Sequence, residues 1–151
     1  MPRPNEIARW LREQHDKVKD LSAHLGRQVA AVPHHNVDQW LVNLTDEFER
    51  YRAHFEKHMA LEQEGGYLAP VLEQRPTLAA EVTHLHAQHG QISQVMTWIL
   101  SELNGLTSAN RLLLRDACAR IDTLIEIISE HEEQENLLVS QAFTEEVGTK
   151  D

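Results

Sequence analysis

The chain has a single cysteine, Cys118, in 151 residues, and this scarcity excludes a disulfide framework and a cysteine-based zinc finger. It also has little positive charge. Its 14 basic residues stand against 24 acidic ones, and the net charge of −10 argues against binding to nucleic acid or to anionic lipid surfaces. No apolar run approaches the ~20 residues of a membrane span, and the first residues lack the apolar core of a signal peptide. We therefore expect a cytoplasmic protein with no nucleic-acid partner and no membrane partner.

Glycine and proline are few, six and five residues, and they mark the ends of four long stretches with helical periodicity. We predict that these stretches form helices over about residues 5–31, 36–66, 76–105 and 109–143. The segment 67–74 fits either a short helix or an extended loop. No alternating strand pattern of any length is present. The length suits one domain with one hydrophobic core, and we predict a single domain over residues 1–151.

Each predicted helix carries an apolar stripe at alternating steps of three and four, which is the seam spacing of a helix bundle. In the third helix the stripe consists of Leu78, Val82, Leu85, His89, Ile92, Met96, Ile99 and Leu103. Short connections between such helices favour antiparallel neighbours. We therefore predict an all-α fold, an antiparallel up-down-up-down four-helix bundle.

A histidine interrupts every stripe, and two stripes also carry a glutamate four residues later. These residues are His15, His58, Glu62, His89, His131 and Glu135. A single histidine on an apolar face is usually a hydrogen-bonded core residue, but here all four helices share the feature. Buried and ionised, Glu62 and Glu135 would each cost several kcal/mol without a partner, and the stripes contain no lysine or arginine. We therefore predict a bound cation. The alternative is a structural bundle whose histidines are satisfied internally.

Geometry favours convergence of these six side chains on one point. In an up-down-up-down bundle, the starts of the first and third helices and the ends of the second and fourth lie at one end of the molecule. At ~1.5 Å per residue the levels of the six residues agree to within a couple of turns. A histidine and a glutamate at i and i+4 also point from the same helix face. Four imidazoles and two carboxylates suit iron, zinc or manganese, and six ligands favour a pair of metal ions.

The angular position of each remaining polar residue around its helix indicates its expected role. His54 and His86 each supply a further ligand or a hydrogen bond to one, or else lie at the surface. Tyr51 either packs or donates a hydrogen bond to a metal-bound species, and Cys118 is expected to be an inert core thiol. The residues expected to be solvated are His24, His34, His35, His84, Glu64, Glu132 and Glu133. Glu132 adjoins a predicted ligand, so a supporting contact to the site is its alternative.

At these residues the sequence resembles the hemerythrin family in its bacterial form, the hemerythrin HHE cation-binding domain. The likeness rests on four stretches in the same order over nearly the whole chain, residues 12–15, 58–67, 88–92 and 131–138. The resemblance implies an antiparallel four-helix bundle around two non-haem iron ions, joined by an oxo or hydroxo bridge. It also implies that Glu62 and Glu135 bridge the two ions, and that the terminal ligands are His15, His58, His89 and His131.

The sequence departs from the oxygen carriers of this family at two positions. Their third helix has a second histidine where this chain has Leu85, and their last carboxylate is an aspartate five residues after the histidine, whereas Glu135 follows His131 by four. In this respect the chain resembles more closely the iron-sensing hemerythrin-like domain of a eukaryotic F-box protein and some bacterial members that are not carriers. We expect an iron pair that binds, senses or scavenges O2, NO or peroxide. The alternative is an iron-responsive or iron-buffering module without catalytic turnover. The sequence identifies no protein partner.

Overall fold

The described part of the chain contains five α-helices and one short 3-10 turn. The computed structural model describes residues 4–65 and 67–149, without the side chains of residues 4, 5, 65, 68 and 144–149. The helices are α1 (Pro4–Ala30), α2 (Val37–Gly65), α3 (Leu68–Gln74), α4 (Ala79–Asn104) and α5 (Arg111–Thr149), and the 3-10 turn (Pro76–Leu78) leads into α4. Within these ranges there is no strand, and no helix combines the length and apolar character of a membrane span. The prediction of an all-helical fold is confirmed.

The four long predicted helices correspond to α1, α2, α4 and α5, with two differences. The undecided segment 67–74 contains the short helix α3. Helix α5 continues to Thr149, six residues beyond its predicted end, because the sequence contains no glycine or proline that would end it before Gly148. Gly66, at the predicted end of the second helix, lies outside the described residues.

The four long helices close into a bundle in which α1 and α4 each contact both α2 and α5. All residues of the predicted stripes are buried except one. Ser22 is half-buried, and it belongs to the stripe of the first helix, which consists of Leu11, His15, Val18, Ser22, Leu25 and Val29. The buried apolar side chains form two layers, a larger one shared by all four long helices and a smaller one built from α1, α4, α5 and the segment around α3.

The polar stripe residues lie where the two apolar layers meet. On α1, His15 lies between Leu11 of the smaller layer and Val18 of the larger one. On α4, His89 lies between Leu85 of the smaller layer and Ile92 of the larger one. The polar cluster is therefore enclosed by apolar side chains from both directions along the bundle.

Candidate metal centre

The structure brings the six predicted ligands together in one buried cluster. His15 extends from α1, His58 and Glu62 from α2, His89 from α4, and His131 and Glu135 from α5. None of the six is more than 6% exposed. Together with Glu132, they are all the buried histidines and acidic residues among the described side chains, and no described lysine or arginine is buried.

The potential ligand atoms form two overlapping groups, each with its atoms within 4.8 Å of one another. The first group is His15, His58, Glu62 and Glu135, and the second is His89, His131 and Glu135. Glu135 belongs to both groups. The cluster therefore contains two pairs of histidines with a shared carboxylate.

Both carboxylates face histidines of both pairs. Glu135 places Oε1 3.1 Å from His15 Nε2 and 3.4 Å from His131 Nε2, and Oε2 3.5 Å from His89 Nε2. Glu62 behaves in the same way, because its Oε1 contacts His58 Nε2 and its Oε2 lies 3.3 Å from His89 Nε2. Each carboxylate therefore contacts both pairs of histidines.

Amide side chains orient two of the imidazoles. His15 Nδ1 lies 3.0 Å from Asn136 Oδ1, and His131 Nδ1 lies 2.7 Å from Gln88 Oε1. Because an amide oxygen can only accept a hydrogen bond, each Nδ1 carries a proton and donates it. The Nε2 atoms then face the carboxylates, as they must in order to bind a metal.

Two further contacts come from Gln63 and Tyr67. The side-chain amide of Gln63 lies 3.1 Å from His89 Nδ1, and the Tyr67 hydroxyl donates a hydrogen bond to Glu135 Oε2. Burial, with the nearby charges of Glu135 and Glu62, raises the pKa of Tyr67 above its ordinary value, so the phenol keeps its proton and remains a donor. Neither Gln63 nor Tyr67 was singled out from the sequence, although both lie in the stretch 58–67 that carries the family resemblance.

Several polar atoms at the centre of the cluster lie close to one another, but they form no hydrogen bond of good geometry with the described residues. They are both carboxylate oxygens of Glu62 and the Nε2 atoms of His58, His89 and His131. A buried polar group left in this way costs about 1–3 kcal/mol, and such groups are rare in folded proteins. Imidazole nitrogens and carboxylate oxygens are ligands for iron, zinc and manganese. The residues therefore fit a metal site.

The carboxylates also control the charge of two imidazoles. Burial alone would lower the pKa of His15, but contacts with Glu135 and Glu62 outweigh burial and raise the pKa to about 10. The same balance raises the pKa of His89 to about 9. Burial alone would raise the pKa of Glu135, whereas its contacts with Glu62 and the imidazoles hold it well below the usual value. Protons and metal ions therefore compete for the same nitrogen atoms.

Glu132 was expected in a solvated acidic end, and this expectation is wrong. The residue is 7% exposed, and its Oε2 lies 3.8 Å from His15 Nε2. Burial raises the pKa of Glu132 to about 8, against the opposing effect of His15. The cause is a second stripe of α5 at heptad spacing, which consists of Cys118, Ile125, Glu132 and Val139. A helix that contacts two neighbours buries more than one seam, and this second stripe was a signal that could have located Glu132.

The other histidines stay outside both groups of potential ligands. His54 is half-buried and His86 is exposed, with its ring centroid 6.2 Å from that of His89. Tyr51 is buried, and its hydroxyl shares a 2.8 Å hydrogen bond with Ser22 Oγ. The residues that are exposed as predicted are His24, His34, His35, His84, Glu64 and Glu133.

A cleft between α1 and α5 leads to one side of the cluster. It has a volume of about 320 Å³, and its lining includes His15, Glu132 and Asn136 together with the exposed Arg12 and Lys19. The approach to the His15 side is therefore polar.

The comparison with protein families supports a cation-binding site at this cluster. The family model for hemerythrin, described as the hemerythrin HHE cation binding domain, matches residues 6–142, a range that contains all six predicted ligands. Comparisons with curated proteins and with solved structures found no match. The resemblance inferred from the four sequence stretches is confirmed, and the histidine and glutamate cluster agrees with cation binding. The chain belongs to the hemerythrin HHE cation-binding domain family.

Proposed function

We propose that this protein is a hemerythrin-like di-iron protein that binds, senses or scavenges O2, NO or peroxide. The observation that carries the proposal is the position of Glu62 and Glu135, which each face histidines of both pairs. A carboxylate that lies between two pairs of histidines is suited to bridge two ions. The six proposed ligands are His15 and His58 for one ion, His89 and His131 for the other, and Glu62 and Glu135 as bridges.

The proposal includes one domain in which the four long helices run up, down, up and down. Contacts between neighbouring helices support this orientation, because residue numbers rise along one helix as they fall along the next. The contact pairs are Trp10–His58 and His24–Glu47 for α1 and α2, Glu56–Ser93 and Gln63–His89 for α2 and α4, and Gln88–His131 and Glu102–Arg120 for α4 and α5.

When bound, a pair of ferrous ions would supply the electrons and coordination positions that O2, NO and peroxide require. The chain contributes orientation and a protected environment. Asn136 and Gln88 hold two imidazoles in place, and Tyr67 donates a hydrogen bond to a carboxylate that both histidine pairs share. The buried Phe55 and Ile92 help to exclude bulk water from the cluster.

The alternative is an iron-responsive or iron-buffering module without turnover. The polar cleft between α1 and α5 favours it, because the cleft connects solvent to His15 and provides a path for exchange of ions. The two functions differ in one measurable respect. A scavenging protein consumes NO or peroxide over many turnovers, whereas a buffer loses and regains iron without consuming either.

Anaerobic titration with ferrous ion, followed by metal analysis and optical spectroscopy, tests the di-iron assignment. We expect two irons per chain, and, once the loaded protein is oxidised by air, near-ultraviolet absorption of ferric iron that is lost on reduction. Glu135→Ala removes the carboxylate common to both groups and should abolish binding of the pair. The matched control is His24→Ala, at an exposed residue near Glu47, and it should retain both ions. One zinc per chain, or no metal after ferrous loading, would refute the proposal.

Chelation separates a metal site from a purely structural bundle. A ligand present at about 1,000 times its dissociation constant stabilises a protein by about 4 kcal/mol per site. Removal of iron should therefore lower the melting temperature of the wild-type protein by many degrees. A melting temperature that is independent of the chelator would favour the structural bundle.

A further inference from the structure

Glu132 is a third buried carboxylate at the cluster, and the six predicted ligands do not account for it. Its side chain is 9% exposed, and its Oε2 has no hydrogen-bond partner among the described residues. The exposed Lys19 lines the same cleft, but its charge acts on Glu132 only from a distance. A buried carboxylate in this position is costly unless a cation or a strong donor faces it.

The position of Glu132 can be compared with those of the proposed ligands by their distances from His15. From His15 Nε2, the proposed ligand atoms Glu135 Oε1 and Glu62 Oε1 lie 3.1 Å and 3.9 Å away. Glu132 Oε2 lies 3.8 Å away, within the same range. Two atoms that bind one ion at ~2.1 Å are separated by about 3.0–3.8 Å for angles of about 90–130°. The carboxylate of Glu132 is therefore at the separation of a co-ligand of His15.

We infer that Glu132 is a further metal-binding residue, which ligates the ion held by His15 and His58. This inference rests on the proposed function, because it requires the metal pair. Glu132 lies beside the four residues whose atoms are all within 4.8 Å of one another, on the side of the α1–α5 cleft. Because atoms that bind one ion at ~2.1 Å lie at most about 4.2 Å apart, ligation requires its carboxylate to turn from the cleft towards that ion.

The consequence is an asymmetric pair of sites. The ion on the His15 side has two imidazoles and three carboxylates around it. On the other side, the described acidic groups within 4.0 Å of His89 and His131 are Glu62 and Glu135. The ion on the His89 side therefore has fewer protein ligands, and the open coordination positions for a small ligand belong to it.

Anaerobic titration with cobalt(II) tests the assignment in the wild-type protein and in two variants, Glu132→Gln and Glu133→Gln. Glu133 is the adjacent and exposed glutamate, so its variant is a matched control for the loss of one charge. In Glu132→Gln we expect one of the two binding steps to weaken about 10-fold to 100-fold in competition with a chelator. We also expect the visible cobalt bands to intensify, because absorptivity rises as the coordination number falls. Glu133→Gln should match the wild type in both measurements.

A further variant, Glu132→Asp, keeps the charge but withdraws the carboxylate by one methylene. We expect weaker binding in this variant as well, with circular dichroism that matches the wild type. Wild-type affinities and unchanged cobalt bands in both Glu132 variants would overturn the inference, as would the same result in Glu132→Asp alone if Glu132→Gln does not fold. If the wild-type protein binds fewer than two ions, the proposed function fails instead, so the two failures are distinguishable.

Discussion

Loading the cluster with a divalent ion should expel protons from it. Burial opposes the charged forms of His15 and His89, but Glu135 and Glu62 raise their pKa values to about 10 and about 9. Both imidazoles are therefore protonated at neutral pH in metal-free protein. An imidazole binds a metal ion through a lone pair, so these protons must leave when the ion binds.

The pKa values set the size of the effect. At pH 7.5, a pKa of about 9 leaves His89 about 97% protonated, and His15 is more than about 99% protonated. The two imidazoles should therefore release about two protons per chain, one for each ion. The affinity for each ion should rise about 10-fold per pH unit between about pH 7 and pH 8, and the product of the two binding constants about 100-fold. The stability of the metal-free protein depends on pH in the opposite direction. The contribution of His15 is fully present below its unfolded pKa of 6.5 and is lost as the pH rises through about 10.

Isothermal titration calorimetry with zinc, a redox-inert ion, measures the proton count. The observed enthalpy at pH 7.5 is plotted against the ionisation enthalpy of several buffers, and the slope gives the number of protons released. With the enthalpy expressed per mole of chain, we expect a slope that corresponds to about two protons. His24→Ala, at an exposed position, should give the same slope. A slope near zero would show that the imidazoles are neutral, and the argument that the carboxylates control their charge would then be wrong.

Two further predictions concern Tyr67 and Cys118. Tyr67→Phe removes the donor to Glu135 Oε2 and should weaken metal binding about 10-fold to 100-fold. Tyr51→Phe is the matched control, because that buried hydroxyl bonds to Ser22 instead, and equal losses in the two variants would contradict the assigned role of Tyr67. Burial, with the nearby charge of Asp122, raises the pKa of Cys118 to about 11. At pH 8 an aromatic disulfide reagent should therefore label the native thiol at least about 100-fold more slowly than in urea, and comparable rates would refute the prediction.

The bundle was predictable because its long helices repeat one spacing over many turns. A stripe such as that of α4 leaves little choice about which face is buried, and every residue of that stripe is buried. The segment around α3 is different, because it spans seven residues, contains Pro70 and is too short for periodicity to identify its structure. Contacts with other helices determine its conformation, since Tyr67 and Val71 are fully buried in the smaller apolar layer.

The same reasoning explains which parts of the site were visible in the sequence. His89 and Glu135 occupy positions where an apolar residue is expected, so their polarity is conspicuous. Asn136 and Gln88 lie beside the seam, where polar residues are normal, and their contacts with imidazoles depend on how two helices face each other. The periodicity of a single helix does not show how that helix faces its neighbour. Glu132 is an intermediate case, because its stripe on α5 is otherwise apolar or weakly polar but is not the principal seam.

The interrupted stripes indicate what the core of this protein is adapted to hold. Leucine at the positions of Glu62 and Glu135 would continue both seams and avoid the burial of two carboxylates, and such replacements of buried charges are often neutral or stabilising. The imidazoles compensate only part of this cost. His58 and His89 lie close to the two oxygens of Glu62, but neither oxygen accepts a hydrogen bond of good geometry from the described residues. The interruptions also occur at one level in all four long helices, between two apolar layers. A cation at that level accounts for the burial, the shared level and the unpartnered oxygens together, whereas stability of the metal-free bundle accounts for none of the three.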